Sequence, residues 1–352
     1  MPKLAPPPPV TLESWRTLLS LTAGLATLAP WKFAYDRDVV GLIDPLTGEK
    51  RIGSVLGNAG QVFAIVIYRR AGLRWILSLL DDVPDDLEDL NQADGMDCLK
   101  VELVPKRELT KEDLVVLKST TFKPAGKGAV WPQFRSADPG WHPWYINQAE
   151  ADQLLADLPR LLAFYKMFEE HPELFLDRAP TDIPFLPVTL PDRPLSPNDL
   201  DWQPLLPPPG TDSRSFQPAD EKLDKLRVLK RLAESTFEFD CAFLAAGSFI
   251  ENGRPCFGRF CLMVESRRGM VLGMSMQSGG LTPGEAAGRG LVESLLKAGC
   301  LPTQIVIGGS RFQNVLQPFC DKLQIKLTPA SSLPALEQAV ALLEQQMAGR
   351  IP

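Results

Sequence analysis

One chemically suggestive run is Gly308-Gly309-Ser310-Arg311, which follows an apolar segment and precedes a predicted helix. Glycines before a helix N-terminus can present backbone N–H groups to an anion, and an arginine would add positive charge. These four residues are therefore our candidate anion-binding site. No Gly-Lys-Ser/Thr sequence follows, so the run is not a P-loop. A tight turn between strand and helix is the alternative interpretation, because such turns also favour glycine.

A second candidate site is the loop from Pro132 to Trp144, the most distinctive local sequence in the chain. It combines prolines with Arg135, Trp141, His142 and Trp144, and aromatic-rich loops often bind partners. We predict these four residues as a partner-binding loop. The alternative is a loop that packs its own tryptophans onto the following long helix.

The cysteines and histidines give no metal-binding pattern. Six cysteines lack any CxxC spacing, and several lie in apolar segments such as Cys261-Leu262-Met263-Val264. Reduced, buried cysteine is typical of cytosolic proteins, so we expect a cytoplasmic location. A structural zinc site needs four Cys or His ligands at short spacings, and the only histidines are His142 and His171. We therefore predict no metal site, no cofactor and no catalytic residue.

Composition indicates a globular protein of two domains. The 352 residues are 45% apolar and 23% charged, and the formal net charge is -6. Nucleic acid and anionic lipid bind mainly to clustered Lys and Arg, so this charge does not favour either partner. The apolar run from Leu18 to Leu28 repeats at helical spacing, which favours a core helix over a signal peptide. No stretch approaches the roughly 18 apolar residues of a membrane span.

Local patterns predict an N-terminal α+β domain over residues 11–180. Asp44-Pro45-Leu46-Thr47-Gly48 is turn chemistry between two apolar segments and predicts a hairpin. Thr110 and Asn147 each precede a helix with an acid three residues later, which is the pattern of a capping box. Pro159 lies inside the second of these helices, and we expect it to kink that helix or to begin a new segment.

The 33 prolines far exceed the usual share of about 5% and mark the connecting segments. Residues 1–10 form a proline-rich tail in which Pro6 to Pro9 could dock on an aromatic groove; a stiff, solvated tail is the alternative. Proline recurs every few residues between Pro172 and Pro218. A central strand cannot tolerate that density, so residues 181–218 are predicted as an extended linker.

The C-terminal domain, residues 219–352, has a readable order of elements. Three apolar segments separated by turns predict three antiparallel strands. Thr282 should cap the next helix, and Ser310 should cap the one after it. Together these signals predict the order βββαβαβα, and therefore a mixed sheet with flanking helices.

This order resembles the ribonuclease H-like superfamily, and the stretch Thr282 to Leu336 is most similar to an integrase or transposase core. The resemblance implies carboxylates that hold two divalent metals, one within the first strand and another at the end of the fourth. The first strand carries Asp240 only at its entrance and has Ala245 further along, while the fourth ends in Gly308. The resemblance therefore implies a domain with degenerate catalytic acids.

The whole chain also resembles bacterial proteins built from two domains of unknown function. The shared residues are Pro139, Gly140, Pro143 and Trp144 of a Pro-Gly-x-x-Pro-Trp loop before the long helix. This resemblance implies no assigned activity.

Three functional hypotheses follow. The first is a non-catalytic binding or scaffold protein with a protein partner. The second is a metal-dependent nuclease or phosphotransferase with a rearranged acid set, and the third is non-catalytic binding of nucleic acid. The acids of the second hypothesis are Asp240, Glu265, Glu293 and Glu337, and the arginines of the third are Arg254, Arg259, Arg267 and Arg268.

Overall fold

The computed structural model describes residues 4–80, 95–124, 130–206 and 215–348. These residues form two compact units, one containing the described residues up to 206 and the other those from 215 onward. Each unit combines helices with a sheet of mixed strand direction. The predicted α/β class is therefore confirmed.

A sheet of seven strands forms the centre of the first unit, in the order β5-β4-β3-β2-β1-β6-β7. Every neighbouring pair is antiparallel except β1 and β6, which are parallel. The predicted hairpin around Asp44 is confirmed as β1 and β2. The strands are β1 (Val40–Ile43), β2 (Lys50–Leu56), β3 (Phe63–Tyr68), β4 (Cys98–Val104), β5 (Trp131–Ala137), β6 (Asp182–Phe185) and β7 (Asp201–Pro204).

The described helices of this unit cover both faces of the sheet. They are α1 (Leu12–Leu28), α2 (Arg70–Leu80), α3 (Lys111–Ser119) and α4 (Gln148–Glu170). Helices α1 and α4 bury leucines and aromatic residues against one face, and α2 packs on the other. The capping boxes predicted at Thr110 and Asn147 are both present. Helix α4 continues through Pro159 as one element, so no second segment begins there.

The proline-rich segment contributes more to the fold than a connector would. Strands β6 and β7 lie within residues 181–218, the segment predicted as a linker, yet both belong to the sheet of the first unit. Proline lacks an N–H group, but an edge strand can tolerate this because one side of it needs no partner. Pro204 ends β7, the outermost strand, and Pro184 lies in β6 next to it. Residues 207–214 of the segment lie outside the described residues.

A buried ion-pair network fixes α4 on the sheet. Arg51 of β2 pairs with Asp157, which is fully buried in α4. The Nη2 atom of Arg51 lies 3.0 Å from Oδ1 of Asp157, and Nε lies 2.9 Å from Oδ2. Arg51 also donates to Asp44 in the β1–β2 turn at 2.8 Å. From the next turn of α4, Arg160 donates to the carbonyl oxygens of Ile43, Leu186 and Pro187. These contacts set the position of α4 across β1, β2 and the segment after β6.

The second unit is built on a five-stranded sheet in the order β11-β10-β9-β13-β14. Strand β10 is antiparallel to both neighbours, whereas β13 is parallel to β9 and to β14. A small parallel pair, β8 with β12, lies outside this sheet. The strands are β8 (Lys230–Arg231), β9 (Thr236–Glu251), β10 (Arg254–Glu265), β11 (Met270–Ser278), β12 (Cys300–Leu301), β13 (Gln304–Gly308) and β14 (Lys326–Ala330).

The described helices of the second unit are α5 (Asp220–Arg227), α6 (Pro283–Ala298), α7 (Gln313–Lys322) and α8 (Pro334–Ala348). Helices α6 and α7 pack on one face of the sheet and α8 packs on the other. Thr282 caps α6 as predicted. Helix α7 instead has Phe312 as its N-cap residue and no side-chain cap, so the prediction that Ser310 caps it is wrong. The chain turns once more after Ser310, and the Ser310 carbonyl accepts the Gln313 N–H at 3.0 Å.

The thiols and helices add two observations. All six cysteines are free, and five of them are buried. Among the described residues, no helix is both long and apolar enough to cross a bilayer.

We predict that Arg51→Met destabilises the protein by about 3–5 kcal/mol, because the buried Asp157 carboxylate loses its two closest guanidinium contacts and is left with Arg160, 3.6 Å away, as its charge partner. Chemical denaturation measures the change in free energy of unfolding. Arg193→Met is the matched control, since Arg193 pairs with Asp199 on the surface and is 58% exposed. We expect the control to leave stability almost unchanged. Equal losses in both variants would contradict a special role for the buried network.

Candidate functional site

A cleft of about 240 Å³ lies in the first unit between α1, α3 and β5. Its walls are mostly apolar, and its polar groups lie along one side. Such a cleft, apolar with a few placed polar groups, is the common form of a binding site. The cleft is lined by Pro7, Pro8, Trp15, Leu19, Glu112, Asp113, Val115, Val116, Leu117, Pro132, Phe134, Tyr145 and Ile146.

Arg135, one of the predicted site residues, supports the polar side of this cleft. Its guanidinium donates two bonds to the Asp113 carboxylate, Nη1 to Oδ1 at 2.9 Å and Nη2 to Oδ2 at 2.6 Å. It also lies 4.7 Å from the centre of the Tyr145 ring. Arg135 is only 9% exposed, so it is placed to position Asp113 and Tyr145 rather than to reach a partner in solvent.

Asp113 has a dual structural role. It closes the capping box of α3 with Thr110, and it accepts the paired bonds from Arg135. Burial by itself raises the pKa of the Asp113 carboxyl. The hydrogen bonds and charge of Arg135 act in the opposite direction, and the resulting pKa lies below its usual value. Asp113 therefore remains ionised, with its charge balanced by Arg135.

Tyr145 forms the end wall of the cleft. Its hydroxyl lies 3.1 Å from both Thr110 Oγ1 and Glu112 Oε2, at the start of α3. The Trp144 ring meets the Tyr145 ring edge-on at 5.1 Å between centroids. These contacts hold the Tyr145 ring between the strand β5 and the helix α3.

The predicted loop residues divide into two groups. Trp144 is buried, and its backbone exchanges two 2.8 Å hydrogen bonds with Ser136 of β5. Arg135 and Trp144 thus meet at Tyr145. Trp141 and His142 do not line the cleft. The Trp141 N–H bonds to the Asp138 carbonyl in a turn, and burial lowers the pKa of His142.

A buried arginine anchors the base of this loop. Arg69, at the end of β3, donates to Asp97 at 3.1 Å and to Glu150 at 3.2 Å. Ser136 donates to the same Glu150 oxygen at 2.5 Å. Because Glu150 belongs to the capping box of α4, the loop between β5 and α4 is held at both ends.

Sequence reasoning missed Trp15, Tyr145 and the apolar face of α3. Trp15 lies in α1 and meets Phe134 edge-on at 5.4 Å, so the pattern of a core helix explained it without a site. Tyr145 directly follows Trp144, and that adjacency was the available signal. The cleft itself depends on contacts between residues more than 100 positions apart, which no local pattern reports.

In the second unit, the candidate site centres on Asp240 and Arg311. Asp240 lies in β9 beside Gly308 at the end of β13, and a Cβ atom placed on Gly308 would lie 3.9 Å from Asp240 Cγ. Arg311 Nη2 donates to Asp240 Oδ1 and to the Cys241 carbonyl oxygen, each at 2.9 Å. Its guanidinium also lies 4.4 Å from the centre of the Phe312 ring. Strand β9 begins at Thr236, so Asp240 lies within the first long strand and not at its entrance as the sequence predicted. Arg311 balances the charge of this acid.

The predicted anion site shares these residues. Gly308, Gly309, Ser310 and Arg311 lie together between β13 and α7, with Ser310 exposed. The Gly309 N–H donates to the Ala330 carbonyl at 2.9 Å, so it does not point toward an anion. The Asp240 carboxylate would also repel an anion that approached Arg311. The anion site stays a prediction, with these two contacts against it.

The other acids of the predicted rearranged set lie in separate contacts. Glu265 accepts the N–H groups of Arg267 and Arg268, Glu293 accepts from Gln277, and Glu337 accepts from the Leu333 N–H. Across the described residues, no group of three or more His, Cys, Asp or Glu side chains could hold a metal ion.

Glu238 is an acid that sequence reasoning did not single out. It is 5% exposed in β9, two residues before Asp240. Its Oε2 accepts the Leu336 N–H at 2.8 Å, in the first turn of α8. Because acids favour a helix N-terminus, Glu238 positions α8 on the sheet.

The arginines proposed for nucleic-acid binding differ in exposure. Arg259 is 2% exposed and lies 4.0 Å from the centre of the Phe243 ring, so it is not available to a phosphate. Arg267 and Arg268 are exposed in the turn between β10 and β11. Two neighbouring arginines on one turn make a small basic surface.

We predict that Arg135→Gln weakens the acid dependence of stability at Asp113. In the native chain the folded pKa lies below the usual 3.8, so this carboxylate stabilises the fold at neutral pH, and that contribution is lost as the pH falls through the folded pKa. Removing Arg135 raises the folded pKa of Asp113 from this lowered value, while the two hydrogen bonds from Thr110 remain. The variant should then lose less stability than the native chain as the pH falls from about 6 to 3.

Urea unfolding at several pH values measures this change. Arg107→Gln is the control, because Arg107 is 83% exposed. If Arg135→Gln and Arg107→Gln show the same pH profile, the assigned role of Arg135 is wrong.

The comparisons with known proteins agree with two domains. Residues 15–184 match the family model described as Domain of unknown function (DUF7309), and residues 222–344 match that described as Domain of unknown function (DUF6930). No curated protein and no solved structure matches the chain. The two units of this chain are thus similar, respectively, to two domain families that have no assigned function.

Proposed function

We propose that the chain is a non-catalytic binding protein, in which an inactive ribonuclease H-like C-terminal unit accompanies an N-terminal unit that carries a binding cleft. One observation carries this proposal. Arg311 donates a hydrogen bond to the Asp240 carboxylate, and the neighbouring strand ends in Gly308, which has no side chain.

The arrangement of strands supports the ribonuclease H-like assignment. In chain order the five strands of the sheet are β9, β10, β11, β13 and β14. Within the sheet, the first of them, β9, is the central strand, and the second, β10, is its antiparallel neighbour. The fourth and fifth strands lie parallel on the other side of the first. Helices follow the third, fourth and fifth strands, and they lie on both faces of the sheet. This is the arrangement that the resemblance in element order implies.

The charges at Asp240 argue against metal-dependent cleavage. Two-metal catalysis needs several carboxylates around the scissile phosphate. Here Asp240 is the acid that the first strand offers for this role, and the Arg311 guanidinium lies 2.9 Å from it. A divalent cation at Asp240 would have to displace Arg311 or accept its repulsion. The pair therefore favours a folded scaffold over a nuclease.

The cleft of the first unit supports a binding role. Its apolar walls include Val115, which is 67% exposed, and its polar groups are already held in place by Arg135 and Thr110. A preformed apolar site with fixed polar groups loses little freedom when it binds. A volume of about 240 Å³ suits one or two apolar side chains of a protein partner.

A nuclease or phosphotransferase with a rearranged acid set is the alternative to this proposal. It would require Asp240 to exchange Arg311 for a metal and to recruit acids such as Glu337, which accepts an N–H group in the first turn of α8. Nucleic-acid binding through Arg267 and Arg268 is a further alternative. Both alternatives are outcomes of the metal and substrate tests below.

We predict that the native chain shows no saturable Mg²⁺ or Mn²⁺ binding in the second unit and no metal-dependent cleavage of single- or double-stranded substrates. The double variant Gly308→Asp/Arg311→Ala should gain metal binding, because it removes the competing cation and sets a second carboxylate beside Asp240. The space allows this change, since a Cβ at position 308 meets no atom closer than 3.6 Å. Isothermal titration calorimetry measures the gain, and we expect a dissociation constant of about 1 mM.

The matched control is Gly308→Asn/Arg311→Ala, which has nearly the same shape without the added charge. It should bind metal at least about tenfold more weakly than the aspartate variant. Metal-dependent turnover by the native chain would overturn the proposed function. Salt-sensitive binding of nucleic acid without turnover would instead favour the further alternative.

A further inference from the structure

Within Pro6–Pro9, the two outer prolines differ in burial from the two inner ones. Pro6 and Pro9 are exposed, whereas Pro7 and Pro8 between them are partly buried and line the cleft. A polyproline II helix has three residues per turn, so residues three apart share a face. The tail therefore presents Pro7 and Pro8 to the cleft and turns Pro6 and Pro9 to solvent.

The cleft offers the surface that such a helix prefers. Trp15 and Tyr145 line it together with Pro132 and Phe134. Aromatic-lined grooves bind proline-rich segments by packing rings against rings, because the preformed helix loses little entropy on binding. Two prolines of the polyproline run and these aromatic side chains thus line the same cleft within one unit.

The tail is held by apolar contact alone. Within the described part of the chain, hydrogen bonds begin at Thr11, whose N–H donates to Gln148 Oε1 at 2.8 Å; residues 4–10 make none. Thr11 also caps α1, so the tail is anchored immediately after Val10. A segment tethered so close to its groove has an effective concentration in the millimolar range, although its own affinity is weak. Such a segment can leave the groove without breaking any polar contact.

The rim of the groove adds a charge preference. Asp113 is neutralised by Arg135, whereas Glu112 beside Tyr145 is exposed and forms no ion pair with any described residue. Glu112 is therefore the uncompensated charge among the residues that line the cleft. An extended ligand with a Lys or Arg next to its prolines would complement it.

We propose that this cleft belongs to a recognition groove for extended, proline-rich protein segments, and that the chain's own Pro6–Pro9 lies along one wall of it as a built-in ligand that such a partner displaces. The inference rests on the proposed binding role of the cleft and names its partner. The partner binds in place of the tail, with two consecutive prolines at the positions of Pro7 and Pro8.

The test uses a fluorescent peptide with the sequence of residues 4–11, LAPPPPVT. Fluorescence anisotropy measures its binding to the full chain and to the chain without residues 1–9. We expect the shortened chain to bind the peptide about tenfold more tightly than the full chain, because the resident tail no longer competes. A full-length variant with Pro7→Ala/Pro8→Ala should show the same direction of change, and it retains the tail if the deletion harms folding.

Two further peptides provide the matched control. Alanine at the positions of Pro7 and Pro8 should abolish binding, whereas alanine at the positions of Pro6 and Pro9 should weaken it only slightly. Val115→Arg, a change at an exposed cleft residue, should also reduce binding.

Absence of binding to both the shortened chain and the Pro7→Ala/Pro8→Ala variant at about 1 mM peptide would overturn this inference. Equal losses for the two alanine peptides would also overturn it. Neither result bears on the second unit, whose assignment as an inactive domain is tested separately by metal binding and metal-dependent turnover.

Discussion

The ion pair between Asp240 and Arg311 is the contact on which the proposed role of the second unit depends. Asp240 lies on the central strand of the sheet, next to the end of β13. A metal ion at this place would bring Lewis-acid chemistry with it, whereas a guanidinium balances the charge of the acid without supplying that chemistry. Arg311 reaches Asp240 from the turn between β13 and α7, and it also donates to the Cys241 carbonyl oxygen. The turn that carries the predicted anion site is thereby tied to the first strand.

Buried charge has a comparable structural role in the first unit. Arg51 and Asp157 join the sheet to α4, and Arg69 joins the ends of β3 and β5 to the start of α4. At the cleft, Arg135 fixes the first turn of α3 and the ring of Tyr145. In each case an arginine on or next to a strand binds a carboxylate of a helix or loop, which suits its planar fork of donors. Hydrogen bonds therefore hold in place the side of the cleft that α3 and Tyr145 form.

The sequence predicts most of the local structure because the signals are local. Thr110, Asn147 and Thr282 cap their helices as expected, and the Asp44 turn forms its hairpin. The strands β6 and β7 escaped prediction because proline density argues against a central strand and says little about a sheet edge.

The sites were harder to predict, because they join distant segments. Arg311 and Asp240 are 71 residues apart in the sequence. Pro7 and Tyr145, which line the same cleft, are also far apart in the sequence. Arg135 and Trp144 were identified by their composition, yet both act by supporting Tyr145. Residue type thus pointed to a segment that borders the cleft, and only the fold shows which side chains line it.

Anomalous diffraction from crystals of the native chain grown with Mn²⁺ would report the metal and the position of Arg311 together. We expect no manganese peak at Asp240 and an Arg311 guanidinium within hydrogen-bond distance of that carboxylate. A manganese ion bound to Asp240 with Arg311 turned away would contradict this expectation and would identify the second unit as a metal site.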